Sequence, residues 1–315
     1  MSKFHRSVLL KEVIENLKVE KGKRYIDATI GGGGHTFEIL KRGGVVLGID
    51  VDREAIEHIK KKSKVKSQPS SRAQVEGKSK VKIWERLTLI KGNFRNIDKI
   101  AQEKGFGKVK GIIFDLGVSG YQLESKERGF SFQEEGPLDM RMDQDLQVRA
   151  ADLVKILTKG ELYELFSKLG EESRAWEFSR RIVSARRMRP IETTRDLALI
   201  LEGGRGATSS HAKASADKKV FQALRIAVND ELNSIKEALP KSLTLLEKKG
   251  RLLVISFHSL EDRIVKNSFL EFSSKREGII ITKKPITPTM VEIDKNRRSR
   301  SAKLRVFETR SASSG

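Results

Sequence analysis

The amino-acid sequence predicts an α/β protein: a mostly parallel sheet covered by helices on both faces, with a helical domain inserted into it. Two observations carry that expectation. Short apolar runs alternate with segments of helical spacing through the N-terminal part of the chain. Strands and helices in alternation form parallel sheets, because each crossover lays a helix on a face. The interval from the fourth run to the fifth, 118–250, is also far longer than the roughly a dozen residues a crossover needs, and it is full of helical patterns.

The runs 24–29 (RYIDAT), 45–50 (VVLGID), 87–92 (LTLIKG) and 111–117 (GIIFDLG) read as strands buried on both faces. Helical spacing separates them at 52–62 and 96–103. The interval that follows holds helical patterns at 150–157, 161–169, 171–187 and 194–201. Phe221, Leu224, Val228, Leu232, Ile235 and Leu239 then recur every three or four residues, which predicts one long crossover helix that Pro240 ends or follows with another. A fifth strand is expected at 251–257, and a closing antiparallel pair at 279–283 and 303–308. The expected domains are therefore 1–117 with 219–315 for the sheet, and 118–218 for the insert. The stretches 63–82 and 203–219, rich in Ser, Lys and Gly, read as solvated surface segments.

The chain has 315 residues, with 63 Lys+Arg against 42 Asp+Glu and a net charge of +21. Such an excess favours a polyanionic partner, because neutralising phosphates releases condensed counterions. There is no cysteine, which excludes disulfides, Cys-ligated zinc, iron–sulfur clusters and thiol nucleophiles. The 5 histidines lack paired ligand spacing, so no metal site is expected. No apolar stretch reaches the roughly 18 residues of a membrane span, and a cytoplasmic protein is expected.

The strongest local signal runs from Asp27 through Gly31, Gly32, Gly33 and Gly34 to His35, from a strand into a helix. Glycines there permit a tight turn and let a ligand approach the backbone. Asp50 ends the second strand, close to the roughly 20-residue spacing at which a ribose-binding carboxylate follows such a turn. The dinucleotide pattern needs a further glycine where Thr36 stands, and the Gly-Lys-Ser/Thr of a phosphate loop is absent. An adenosine cofactor without phosphates, S-adenosyl-L-methionine, fits better than NAD or ATP. Topology adds Phe94, against an adenine ring or in the core, and Asp115, at the cofactor's reactive end or as a helix cap. An NAD-dependent oxidoreductase and a non-enzymatic RNA-binding assembly factor are the competing readings.

With those residues in view, the sequence resembles the bacterial small-subunit ribosomal RNA cytosine-N4 methyltransferases of the MraW type. The shared strings are HRSVLL at 5–10, the glycine turn, DLGVS at 115–119, ERGFSF at 127–132 and GPLDMRMD at 136–143. They continue with GEE at 170–172, FQALRI at 221–226, VNDEL at 228–232, ISFHSLEDR at 255–263 and RSRSAKLR at 298–305. The chain departs from the family at Ser7, at 119–124 (SGYQLE) and around His211.

The resemblance implies a class I S-adenosylmethionine-dependent methyltransferase: a Rossmann-like, mostly parallel seven-stranded sheet with an inserted α-helical substrate-recognition domain. It implies cofactor contacts at Gly33, Gly34, His35, Asp50, Phe94, Asp115 and Gln122. The implied substrate is a cytidine N4 in the decoding region, on ribosomal RNA or the assembled small subunit, with a homodimer left open. Asp115, or a carbonyl of Leu116 to Val118, is expected to accept the amino proton. His258, Glu261, Asp262 and Arg263 are expected to meet the target nucleotide or, alternatively, to cap a helix and pair with one another. Asp139, Arg141 and Asp143 carry the same two readings. Arg297, Arg298, Arg300, Lys303 and Arg305 form a basic run suited to phosphates.

Overall fold

The computed structural model describes residues 7–67, 83–132, 134–203 and 210–310; of 63–67 and 210–217 only the backbone is described. His5, His211, most of 63–82 and 204–209 therefore lie outside the described residues or side chains. The chain divides into two compact units, Met1–Gly117 with Leu232–Gly315, and Val118–Glu231.

The first unit is built on seven strands: β1 (Arg24–Asp27), β2 (Val45–Asp50), β3 (Leu87–Lys91), β4 (Val109–Asp115), β5 (Leu246–Ser256), β6 (Gly278–Ile280) and β7 (Lys303–Thr309). Their order in the sheet is β3-β2-β1-β4-β5-β7-β6. The pairs β2–β3, β1–β2, β1–β4 and β4–β5 are parallel, while β7 runs antiparallel to both β5 and β6. Strand order reverses between β1 and β4, so the crevice beyond their carboxyl ends is where such a sheet binds a ligand.

Both faces are buried, and neighbouring residues divide between them. Along β4 and β5, Ile112, Phe114, Leu252 and Val254 join one apolar cluster. Ile113, Leu253 and Ile255, one position away, join the other. Two-sided burial explains why these strands read as unbroken apolar runs instead of alternating ones.

The second unit is helical: Ala150–Ile156, Lys159–Gly170, Ala175–Ala185, Thr194–Glu202 and Ser210–Asn229. Its core includes Phe130, Leu162, Phe166, Phe178, Leu197 and Phe221.

Four expectations are corrected. The single crossover helix is two, Ser210–Asn229 and Glu231–Leu245, because Asp230 takes a left-handed φ of 48° between them. Val220, Ala223 and Leu224 pack in the helical unit, whereas Ile235, Ala238 and Leu239 pack under the sheet. The second unit boundary thus falls after Glu231, where 218 was expected. Pro240 lies inside its helix. It is exposed with Lys236, so water can take the carbonyl its missing N–H leaves. Finally, backbone from Ser210 onward is helical, where 203–219 was expected to be irregular.

Candidate active site

β1, β2 and β4 each end in an aspartate, Asp27, Asp50 and Asp115, at the same edge of the sheet. Parallel register makes this so: Asp27 lies beside Gly48 and Ile113, and Asp115 beside Ile255. The glycine turn follows Asp27. Gly31 and Gly33 hold positive φ values of 45° and 78°, and the helix Gly34–Lys41 begins without a side-chain cap. A Cβ on Gly33 would lie 2.6 Å from Ile59 Cδ1, and one on Gly34 would collide with Ser7. Gly33→Ala is therefore expected to lower the unfolding free energy by about 1–3 kcal/mol, read from urea denaturation, since left-handed backbone and overlap both penalise it.

Asp27 is buried and accepts hydrogen bonds from Thr36 Oγ1 at 2.7 Å and from the Thr29 amide at 3.4 Å. Burial pushes its carboxyl above the usual range, while His35 and these donors pull it back. Thr36 thus has a positive role where a dinucleotide turn would have glycine, one that spacing arguments miss.

Asp50 is half-buried. Its Oδ2 accepts from the Gly31 amide at 2.8 Å and its Oδ1 from the Asp52 amide at 2.9 Å, tying the turn to β2. Burial pushes this carboxyl up to about 6, against the pull of the two amides.

Asp115 is held by its backbone, whose N–H donates to Thr29 Oγ1 at 2.6 Å. Its Oδ2 faces His35 Nδ1 at 3.8 Å, and its Oδ1 is buried without a hydrogen-bond partner among the described residues. His35 Nε2 lies 3.1 Å from the Val8 carbonyl. A carbonyl only accepts, so that nitrogen carries the proton. Burial pushes Asp115 up to about 6; His35 lowers it, and Asp27 and Glu261 raise it further.

The crevice therefore gathers carboxylates in a chain whose overall charge is strongly positive. That suits a cation and disfavours the phosphates of NAD or ATP. S-adenosylmethionine, with a sulfonium and an ammonium, fits this donor set. Asp50, half-exposed beside the turn, keeps lone pairs for a ribose diol. Asp115 offers a buried acceptor.

Phe94 follows β3, half-buried, with its ring edge-to-face on Phe114 at 5.5 Å and 89°. It packs on the sheet core while keeping part of its surface open.

Gln122, Asp139 and Arg141 belong to the helical unit. Gln122 and Ser119 form a reciprocal capping box, with the Ser119 amide donating to Gln122 Oε1 at 2.9 Å. Arg141 grips Asp139 through two side-chain hydrogen bonds of 2.9 and 2.8 Å. It also donates to the carbonyls of Gln144 and Leu146, so the pair folds its own loop.

The segment after β5 also takes the capping alternative. His258 caps the helix Ser259–Ser274, and Glu261 accepts from the amides of Phe257 and His258 at 2.7 and 3.3 Å. Glu261 has 0% exposure, which corrects the expectation that it touches the nucleotide. Arg305 is corrected too. It is buried against Asp262, at 2.6 Å from Nε to Oδ1, and Lys303 joins at 3.3 Å. Burial would raise Asp262, but these cations hold it below the usual range. The basic run keeps Arg297 and Arg300 exposed and Arg298 half-buried on the turn Arg297–Ser301; Arg263 is exposed on the helix after β5.

Among the described residues no helix is long and apolar enough to cross a membrane. The model of the MraW methylase family matches residues 2–310. A protein of Persephonella marina named ribosomal RNA small subunit methyltransferase H is 45% identical over 304 residues, covering 96% of this chain and 98% of that protein. One of the same name from Carboxydothermus hydrogenoformans is 42% identical over 320 residues, covering 96% and 97%. Among solved structures, an rRNA methylase from Streptococcus thermophilus aligns over 96% of this chain and 94% of its own, at 14% identity and a TM-score of 0.42.

Proposed function

The chain belongs to the MraW methylase family and is an S-adenosylmethionine-dependent ribosomal RNA methyltransferase, and from that premise we propose that its acceptor is the exocyclic N4 of a cytidine in the decoding region of small-subunit RNA. The observation that carries the chemistry is the Oδ1 of Asp115 at the end of β4, buried and without a hydrogen-bond partner among the described residues.

The amino nitrogen of cytosine is a weak nucleophile, because its lone pair is delocalised into the ring. When bound, the cofactor supplies a methyl group on a positively charged sulfur. Asp115 accepts a hydrogen bond from N4–H, raises electron density on that nitrogen, and takes its proton once the new bond forms. His35, its Nδ1 facing Asp115 and its Nε2–H directed at the Val8 carbonyl, orients the carboxylate. Asp50 holds the sugar of the donor, and Phe94 flanks its adenine. Gly33 and Gly34 let the turn pack closely on Ile59 and Ser7, which sets the backbone that the ligand would meet. Alignment of donor and acceptor is worth up to roughly 7–11 kcal/mol, so positioning supplies much of the rate.

On this reading Arg263, Arg298 and Arg300 meet phosphates of the substrate, and His258 stands beside the target base. Asp139 and Arg141 hold a loop of the recognition unit, and Gln122 holds the turn that follows β4. The partner is the small ribosomal subunit or its RNA, in the cytoplasm. A base must leave its stack to reach the crevice, which favours an unpaired segment.

The test is transfer of labelled methyl from S-adenosylmethionine to purified small subunits that lack the modification, followed by nucleoside analysis. Label in N4-methylcytidine is the expected result. Label in another nucleoside or in protein, or none at all, overturns the assignment.

A further inference from the structure

The helical unit carries an aromatic and basic face that the site above does not use. On the helix Ala175–Ala185, Ala175, Phe178, Ser179 and Ile182 are buried. On its other side Trp176, Arg180 and Ser184 recur every four residues, and Arg187 continues the stripe beyond the helix end; all four are exposed. Trp176 is 52% exposed and Tyr163, from the helix Lys159–Gly170, is 39% exposed. Their rings meet edge-to-face at 5.7 Å and 83°. Lys159 Nζ stands 4.2 Å from the centre of the Trp176 ring.

The arginines of this segment fall into two sets. Arg174 and Arg181 pair with Glu177, and Arg186 donates to the Val154 carbonyl. Arg180 and Arg187, on the tryptophan face, have no carboxylate partner among the described residues. Structural arginines thus turn inward to their acids, while two exposed ones share a face with a half-exposed indole. Exposed apolar rings carry a solvation cost that packing here does not remove, and cations without counter-charges suit a polyanion.

We propose that Trp176, Tyr163, Lys159, Arg180 and Arg187 form a stacking platform for an unpaired segment of the substrate RNA. This rests on the reading of the substrate as RNA. An unpaired base stacks on the indole, since every base has a π-face. Lys159, Arg180 and Arg187 meet the phosphates on either side of it. A double helix would hide its bases from the ring, so the platform selects single-stranded or looped RNA.

The chain has only 2 tryptophans, so a Trp84→Phe variant makes Trp176 the sole indole reporter. Adding an oligouridylate of about twelve nucleotides is expected to quench its emission saturably. Trp176→Ala is expected to weaken binding of that oligonucleotide roughly five- to a hundredfold, and Trp176→Phe to recover most of the loss. The double variant Arg180→Gln/Arg187→Gln, which alters no buried contact, is expected to reduce the slope of log affinity against log salt by about 1.4. In methyl transfer to small subunits, Trp176→Ala is expected to raise the RNA KM and leave kcat unchanged.

A wild-type protein that labels RNA, with Trp176→Ala binding the oligonucleotide as tightly, overturns the platform and leaves the activity standing. A wild-type protein that neither binds nor labels RNA overturns both. Quenching by polyglutamate and not by RNA would assign this face to an acidic protein and overturn the proposal.

Discussion

Replacing Asp115 with asparagine is expected to leave a folded protein that binds cofactor but whose turnover falls by a factor of about 10²–10⁴, the range for removal of a general base. The amide keeps the shape of the side chain and its backbone bond to Thr29. It cannot take the proton from N4. The wild-type carboxyl sits at about 6, so it is an acceptor above that pH and fills with protons below it. Accordingly kcat/KM should fall as pH drops through about 6 in the free enzyme. The inflection in kcat should lie lower, because a bound cation favours the ionised form. In Asp115→Asn both inflections vanish. Wild-type turnover at saturating cofactor would remove Asp115 from the chemistry.

The same substitution is expected to raise stability. An unfolded aspartate titrates near 3.9, whereas folded Asp115 titrates at about 6. Between those values the folded state binds more protons, so stability is lost as pH rises from about 4 to about 6 and is constant above. Asparagine has no charge to desolvate. At pH 7.5 it should exceed wild type by about 1–3 kcal/mol in urea unfolding, and the difference should vanish near pH 4. Gain of stability with loss of turnover is the signature of a group held in place for function.

Asp50→Ala is expected to cost cofactor affinity on the order of a hundredfold or more, measured by calorimetry with S-adenosylmethionine. Two losses combine. The ribose hydroxyls lose a charged acceptor, a hydrogen bond worth about 1.5–3 kcal/mol. The turn also loses its tether, since the carboxylate receives the amides of both Gly31 and Asp52. Affinity unchanged within twofold would show that the donor's sugar lies elsewhere. Unlike Asp115→Asn, this variant is expected to lose stability, because two amides are left without acceptors.

Much of this was legible in the chain. The spans 24–29, 45–50, 87–92 and 111–117 lie within about two residues of the ends of β1 to β4. Two-sided burial demands such unbroken apolar runs in β1, β2 and β4, whereas β3, at the sheet edge, is only half-buried along its length, where burial on both faces was expected. The aspartates at three strand ends were legible as well, as was the glycine turn whose φ values only glycine adopts freely. Helix 221–239 was misread for an identifiable reason. Its apolar period runs unbroken across Asp230, and periodicity does not register one residue turning left-handed. Glu261 and Arg305 were misplaced because a charged residue in a list of motifs looks the same whether it faces solvent or caps a helix.

The sequence alone determined the order of strands and helices, the glycine bend and the positions of Asp27, Asp50 and Asp115, since these are properties of near neighbours along the chain. Tertiary structure decided which charges are spent and which are available. Thr36 meets Asp27, Arg305 meets Asp262, and Glu261 turns back to the amides before it, while the Oδ1 of Asp115 is left without a hydrogen-bond partner among the described residues. Whether a carboxylate serves structure or chemistry depends on which donors folding brings within about 3 Å of it and on how much water it loses, and both are set by residues far away in the chain.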